Sequence, residues 1–305
     1  MSEGYDALRH GAAWIDLTAR GRILVRGRDR ARLLHNVSTN DIKNLKPRQG
    51  CYAFLLTPQG RILADLHLFC FSDHFLIDTS PELRAKVAHS ILKYKVADQV
   101  ELEDVTETSS AIGLEGPAAA AILSALNGPV PGEAYSHLPW GEATIANISV
   151  TGQPGFRIFG PRAAMPDFAA AGAKQASEED VQIVRIENGR PRYGEDIRET
   201  SLPQETQQMQ AVSFTKGCYI GQEIVERIRA QGHVNKKLVR LAIDSSMPPS
   251  PGTKVSVDGT EAGEITSAVF SPERGAVSAL AYVRVAYAEP ATLLKAGEHN
   301  ARVVA

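Results

Sequence analysis

From Leu238 onward the chain breaks into short β-prone runs separated only by turns, and this pattern limits the possible folds more than any other feature. Residues 239–243, 254–257, 262–270 and 276–285 are too short and too regularly punctuated for packed helices, so they read as a small all-β domain. The stretch Gly232-His233-Val234-Asn235-Lys236-Lys237 before them is polar and carries a glycine, as a domain boundary does.

Upstream the texture is mixed. Residues 51–57, the turn Pro58-Gln59-Gly60 and residues 61–69 read as a β-hairpin. Alternation puts Ile62, Ala64, Leu66 and Leu68 on one face of the second strand and Leu63, Asp65, His67 and Phe69 on the other. Asp65 and His67 thus share a face with apolar neighbours. After Ser72-Asp73-His74 and the β-prone Phe75-Leu76-Ile77, Ser80 is expected to cap a helix with Pro81 at its first position and Leu83, Val87 and Ile91 as its buried stripe. A second helix follows Gly116-Pro117, covers 118–126 and stops at Asn127-Gly128.

Composition excludes several classes. With 305 residues, 43% of them apolar, the chain can bury more than one core, and two or three domains are expected. Lys plus Arg number 33 against 35 Asp plus Glu, a balance that gives no global field for gripping nucleic acid. No run approaches the roughly 20 apolar residues that cross a bilayer, and the opening MSEGYDALRH lacks the basic and apolar parts of a secretory signal. Cys51, Cys70 and Cys218 are odd in number and widely spaced, which suits reduced thiols better than disulfides or a metal knuckle. A cytoplasmic location is the expectation. Cys51 and Cys70, in apolar strand contexts, read as structural.

The densest chemical signal is Lys216-Gly217-Cys218-Tyr219-Ile220-Gly221-Gln222-Glu223, followed by Ile224-Val225-Glu226-Arg227. Two glycines bracket a cysteine, and Lys216 and Arg227 are placed in sequence to stabilise a thiolate or an anionic ligand. Residue chemistry alone leaves Cys218 open between a reactive thiol and a small core residue.

This run resembles the signature of the folate-binding YgfZ family, relatives of the glycine-cleavage T-protein that support iron–sulfur proteins. Two further stretches carry the resemblance: Arg185-Ile186-Glu187-Asn188-Gly189 with Pro191-Arg192-Tyr193-Gly194-Glu195-Asp196, and Thr39-Asn40-Asp41 with Gly50 and residues 58–66. Glu226 is a departure, since family members commonly carry alanine there.

The resemblance implies an α+β, three-domain T-protein-like fold around a central folate cavity, ending in a small β-barrel. The implied units are residues 1–44 with 107–195, residues 45–106 with 196–233 carrying the cysteine motif, and residues 234–305. It implies tetrahydrofolate or a one-carbon derivative at the domain junction and no permanently bound metal. Glu187 would read the pterin, because a carboxylate accepts two neighbouring donors at once. Asp65 would lie near the reduced ring nitrogens, a catalytic candidate together with Cys218. Lys216, Tyr219, Gln222 and Arg227 would frame the opening. Cys218 would serve as a transient iron–sulfur ligand, a redox thiol or a contact for iron–sulfur proteins or their assembly factors.

Blander readings stand beside these: Glu187 as a helix-surface acid paired with Arg185 or Arg190, His67 as a structural histidine, Lys236-Lys237 as solvated linker. An aminomethyltransferase moving a one-carbon unit to tetrahydrofolate is the competing function, and a scaffold with a decayed folate pocket is a third.

Overall fold

The computed structural model describes residues 2–232 and 234–304. His233, in the expected boundary, and the terminal residues 1 and 305 of the expected first and last domains lie outside the described residues.

Three β structures organise the chain. The first is a six-stranded sheet in the order Lys174–Gln175, Ala13–Asp16, Ser110–Glu115, Gly155–Gly160, Ala143–Ala146, His137–Trp140. The second is five-stranded, in the order Gly50–Leu56, Ile62–Cys70, His74–Thr79, Gly21–Arg26, Glu101–Asp104. The third is a closed barrel made of Lys236–Ile243, Ala276–Arg284, Thr260–Ser271, Lys254–Val257, Leu293–Ala296 and His299–Val304. Closure leaves the short strands no free edge. The barrel core is built from small and β-branched side chains, among them Val255, Ile265, Ala281 and Val303. The mixed α+β architecture with a terminal β-barrel is thus present.

The units differ from the expected boundaries at the N-terminal end. Gly21–Arg26 pairs antiparallel with His74–Thr79 and with Glu101–Asp104, so the second sheet draws on residues well before 45. The pairing is between strands distant in sequence, which alternation alone cannot assign.

In the hairpin, Tyr52 lies opposite His67 and Phe54 opposite Asp65, with a bulge near Leu55 and Leu56. Ala64, Leu66 and Leu68 enter a core shared with Leu33, Phe54, Tyr219 and Val225. At the turn, Gly60 (φ +73°) and Gly221 (φ +82°) approach closely: a Cβ on Gly221 would lie 2.6 Å from the Thr57 carbonyl oxygen. The second glycine of the cysteine motif therefore lets the motif dock on the hairpin turn.

The helix after Ser80 begins as a 3₁₀ turn, Pro81–Leu83, and continues as α-helix Arg84–Leu92. Pro81 takes the first position, but the Ser80 hydroxyl makes no capping bond. Helix Ala119–Ala125 stops before Asn127, which adopts φ +57°. Helix Glu178–Glu187 is started by a full capping box between Ser177 and Asp180.

Candidate functional site

A cavity of about 260 Å³ opens where the two sheets meet the segment after helix Glu178–Glu187. That is far more than a packing defect or a single buried water needs. Its wall includes Ile15, Leu17, Val150 and Val181, and its polar lining includes Arg20, Asp65, His67, Tyr135 and Arg190.

The strand Ile62–Cys70 builds the polar floor. Its alternation sends Asp65 and His67 to the cavity while Ala64 and Leu66 fill the core behind. The Tyr52 hydroxyl donates to Asp65 Oδ2 at 2.9 Å. Asp65 Oδ1 is buried and has no protein partner. Burial raises the Asp65 carboxyl above its ordinary range, although Arg20 and the Tyr52 bond oppose the shift.

His67 is not the partner of Asp65. Its Nδ1 shares a hydrogen bond with the Tyr135 hydroxyl at 2.8 Å, and its ring stacks between Tyr52 and Tyr135, at centroid distances of 5.0 and 5.8 Å. Burial, reinforced by Arg157, holds the imidazole well below its usual value, so it is neutral near pH 7.

Behind the floor, Asp78 pairs with Arg20 (2.6 Å) and with Arg157 (2.6 Å). Burial would raise Asp78, but Arg157 and Arg20 overrule it and hold the carboxyl below its ordinary range. The segment 188–196 is shaped by Arg185, which donates to Asp196 at 2.7 Å, to Glu195 at 2.5 Å and to the Arg190 carbonyl at 3.0 Å. Tyr193 fastens the same segment to the hairpin through the Leu63 carbonyl, at 2.7 Å. Asn40 donates to the carbonyls of Tyr52 and Gln210, tying the cavity-lining 208–210 segment to the hairpin.

Glu187 is placed differently from the expectation. It does not line the cavity and is 2% exposed. Its Oε1 accepts from the Tyr5 hydroxyl (2.9 Å) and from Ser271 (2.5 Å), and Arg9 lies 3.8 Å from Oε2. The carboxylate ties the N-terminal helix to the barrel. A helix turns about 100° per residue, so the side of Glu178–Glu187 that carries Val181 and Arg185 to the cavity carries Glu187 elsewhere.

The cysteine motif also lies off the cavity. Lys216 Nζ donates to the carbonyls of His35 and Ser38, closing the C-terminal end of helix Arg30–Val37, and sits 5.1 Å from the Tyr219 ring. Burial lowers its ammonium to about 8. Tyr219 is buried, its hydroxyl has no protein partner, and burial pushes it up to about 12. Tyr219 belongs to the same core as Ala64, Leu66 and Leu68. Cys218, between these two anchors, is exposed. Gln222 opens helix Gln222–Gln231, and Arg227 on it is exposed. None of Lys216, Cys218, Tyr219, Gln222 and Arg227 lines the cavity.

Sequence reasoning overlooked Tyr52, Tyr135, Arg20 and Arg190. Tyr52 reaches the Asp65 face only because the bulge near Leu55 and Leu56 shifts the register by one residue, setting it opposite His67 where a regular hairpin about a turn at 58–60 sets it opposite Leu66. Tyr135 comes from the other sheet's side of the cavity, and no local pattern announces it. Among the described residues no helix is long and apolar enough to cross a membrane, and no cluster of three or more metal-ligating side chains occurs.

Comparison with known proteins agrees with this architecture. Residues 1–216 match the GCVT N-terminal domain family, and residues 236–305 match the glycine cleavage T-protein C-terminal barrel domain. The chain is 28% identical over 313 residues to the putative transferase At1g60990, chloroplastic, of Arabidopsis thaliana, covering 99% of this chain and 72% of that protein. It is 29% identical over 293 residues to an aminomethyltransferase of Rubrobacter xylanophilus, covering 92% and 78%. Its fold matches the crystal structure of the glycine cleavage system aminomethyltransferase T from Bartonella henselae with a TM-score of 0.90 at 22% identity, over 99% of this chain and 88% of that one. With both family domains matched along nearly its whole length, this chain belongs to the glycine-cleavage T-protein family.

Proposed function

We propose that the cavity binds a reduced folate, with Asp65 as its principal polar anchor, and that the protein works as a tetrahydrofolate-binding accessory to iron–sulfur proteins, in the manner of the YgfZ branch. The observation that carries the folate reading is the buried Asp65 Oδ1 without a protein partner, on a wall that also holds flat aromatic rings. A buried carboxylate oxygen left unmatched is costly unless a ligand donor completes it. The amino and ring N–H groups of a reduced pterin are such donors. Bound there, the folate would supply a carrier for one-carbon units.

The protein's own groups have defined tasks in this reading. Asp65 accepts a ligand N–H through Oδ1 while the Tyr52 hydroxyl fixes its other oxygen. Its raised proton affinity suits it to hold or release a proton at that atom. The rings of Tyr52, His67 and Tyr135 pack against the flat ligand, and the apolar wall excludes water. The exposed Cys218, which does not line the cavity, is arranged for contact with another protein more than for folate chemistry, which supports the accessory role.

A second reading, aminomethyl transfer to tetrahydrofolate, is favoured by the names of the relatives. Titration with tetrahydrofolate under anaerobic conditions tests the shared part. Ligand at 100 times its dissociation constant should stabilise the fold by about 2.7 kcal/mol, and no thermal shift at millimolar folate would remove the binding proposal. Deletion of the gene, with Cys218→Ser as the complementing variant, separates the roles. The accessory reading expects Cys218→Ser to fold normally and to fail in restoring iron–sulfur enzyme activity. Robust methylene-tetrahydrofolate formation from an aminomethylated lipoyl carrier would favour the transferase instead.

A further inference from the structure

The arginines of the cavity are not equivalent. Arg20, Arg185, Arg190 and Arg192 all line it. Arg20 is held by Asp78, Arg185 by Asp196 and Glu195, and Arg192 by Glu178. Arg190 alone among these has no carboxylate or hydrogen-bond partner for its guanidinium among the described residues. The side chain is nonetheless guided, because its stem runs over Gly152: a Cβ at that glycine (φ +82°) would lie 2.8 Å from Arg190 Cγ. Its charge is also felt inside the cavity, opposing protonation of His67 and favouring ionisation of Tyr52 and Tyr135. The cavity is therefore bipolar, with an unmatched carboxylate oxygen on its floor and an unmatched guanidinium on its lining.

We propose that Arg190 is the tail-binding residue of this cavity, pairing with a carboxylate of the ligand and making the site selective for an anionic-tailed pterin over a neutral one. This rests on the folate reading. A guanidinium offers a planar fork of donors that fits a carboxylate through two bonds, where a lysine offers only a point charge. Arg190 is exposed, so its contribution is partly screened and is sensitive to salt. Placing this task on Arg190 also replaces the expectation for Arg227, which sits on helix Gln222–Gln231 and does not line the cavity.

The test compares tetrahydrofolate with its tail diamide, in which both glutamate carboxylates are neutral, by calorimetry on the full chain. The wild type should prefer tetrahydrofolate by about tenfold. Arg190→Ala should reduce that preference to less than about twofold while leaving affinity for the diamide unchanged, and Arg190→Lys should retain part of it. Raising the ionic strength from about 0.05 to about 0.5 M should shrink the wild-type preference and leave the Arg190→Ala values unmoved. A wild type that binds both ligands equally, an Arg190→Ala variant that keeps the preference, or one that weakens both ligands alike would overturn the assignment while the folate reading stands. Binding of neither ligand to the wild type would overturn both.

Discussion

Asp65 combines two demands that pull against each other, and its titration exposes the conflict. The carboxylate is desolvated and one oxygen lacks a partner, so the folded protein favours the protonated form more than the unfolded chain does. Because the folded-state value lies above the ordinary one, the native state binds more protons between the two values, and stability falls as pH rises through that window. Asp65→Asn keeps an acceptor for Tyr52 and removes the charge. The variant should be at least as stable as wild type at pH 7, with the advantage fading as pH falls toward about 4. It should bind tetrahydrofolate at least about tenfold more weakly, as expected for loss of a charged hydrogen-bond acceptor. Thermal melts across pH and a calorimetric titration measure both; a destabilised variant with unchanged affinity would assign Asp65 a purely structural task. The face that Asp65 occupies was legible, because period-two alternation along residues 62–68 leaves little choice. Its partner was not, since Tyr52 meets it only through the register of the hairpin.

At the scale of elements, the junction between the sheets rests on Asp78 in strand His74–Thr79 and Arg157 in strand Gly155–Gly160. Both side chains are almost fully buried, and Arg157 Nε and Nη2 have no partner. Removing one member strands the other charge, so Asp78→Ala should cost about 3–5 kcal/mol. The joint replacement Asp78→Leu with Arg157→Met should cost less, because the fully buried Arg157 charge disappears with its partner and only Arg20, which keeps some contact with solvent, loses its carboxylate. Equal losses in the single and double variants, measured by urea unfolding, would deny the coupling. Asp78 is held below its ordinary value, so its contribution is present above about pH 4 and lost as pH falls through the lower folded value. The hairpin, the helix led by Pro81 and the barrel strands could be read from sequence because each announces itself within a few residues. The membership of Gly21–Arg26 in the five-stranded sheet could not, because its partners lie some fifty to eighty residues away.

For the molecule as a whole, the decisive residue is Glu187, which joins bodies rather than lining the space between them. One carboxylate oxygen receives both the Tyr5 hydroxyl of the N-terminal helix and the Ser271 hydroxyl of the barrel. Arg240 and Arg274 of the barrel donate to the backbone carbonyl of the same residue. Asp196 makes a second tie, accepting from Thr266 and Ser267 of the barrel and from Arg185. The barrel is therefore docked through buried polar bonds at the far end of the element whose other turns line the cavity. Motif resemblance singled out Glu187 but said nothing of its direction, which depends on a barrel that follows some fifty residues later. If Glu187 is a tie, Glu187→Gln retains an acceptor oxygen for Tyr5 and Ser271 and should change tetrahydrofolate affinity by less than about threefold, below 0.7 kcal/mol. Glu187→Ala strands two hydroxyl groups in the interior and should lose about 2–4 kcal/mol. Cleavage by protease between the α+β body and the barrel should then become faster, since the junction opens more often. A Glu187→Gln protein that melts like wild type yet no longer binds the folate would return this residue to the cavity and reverse the division of labour between Glu187 and Asp65.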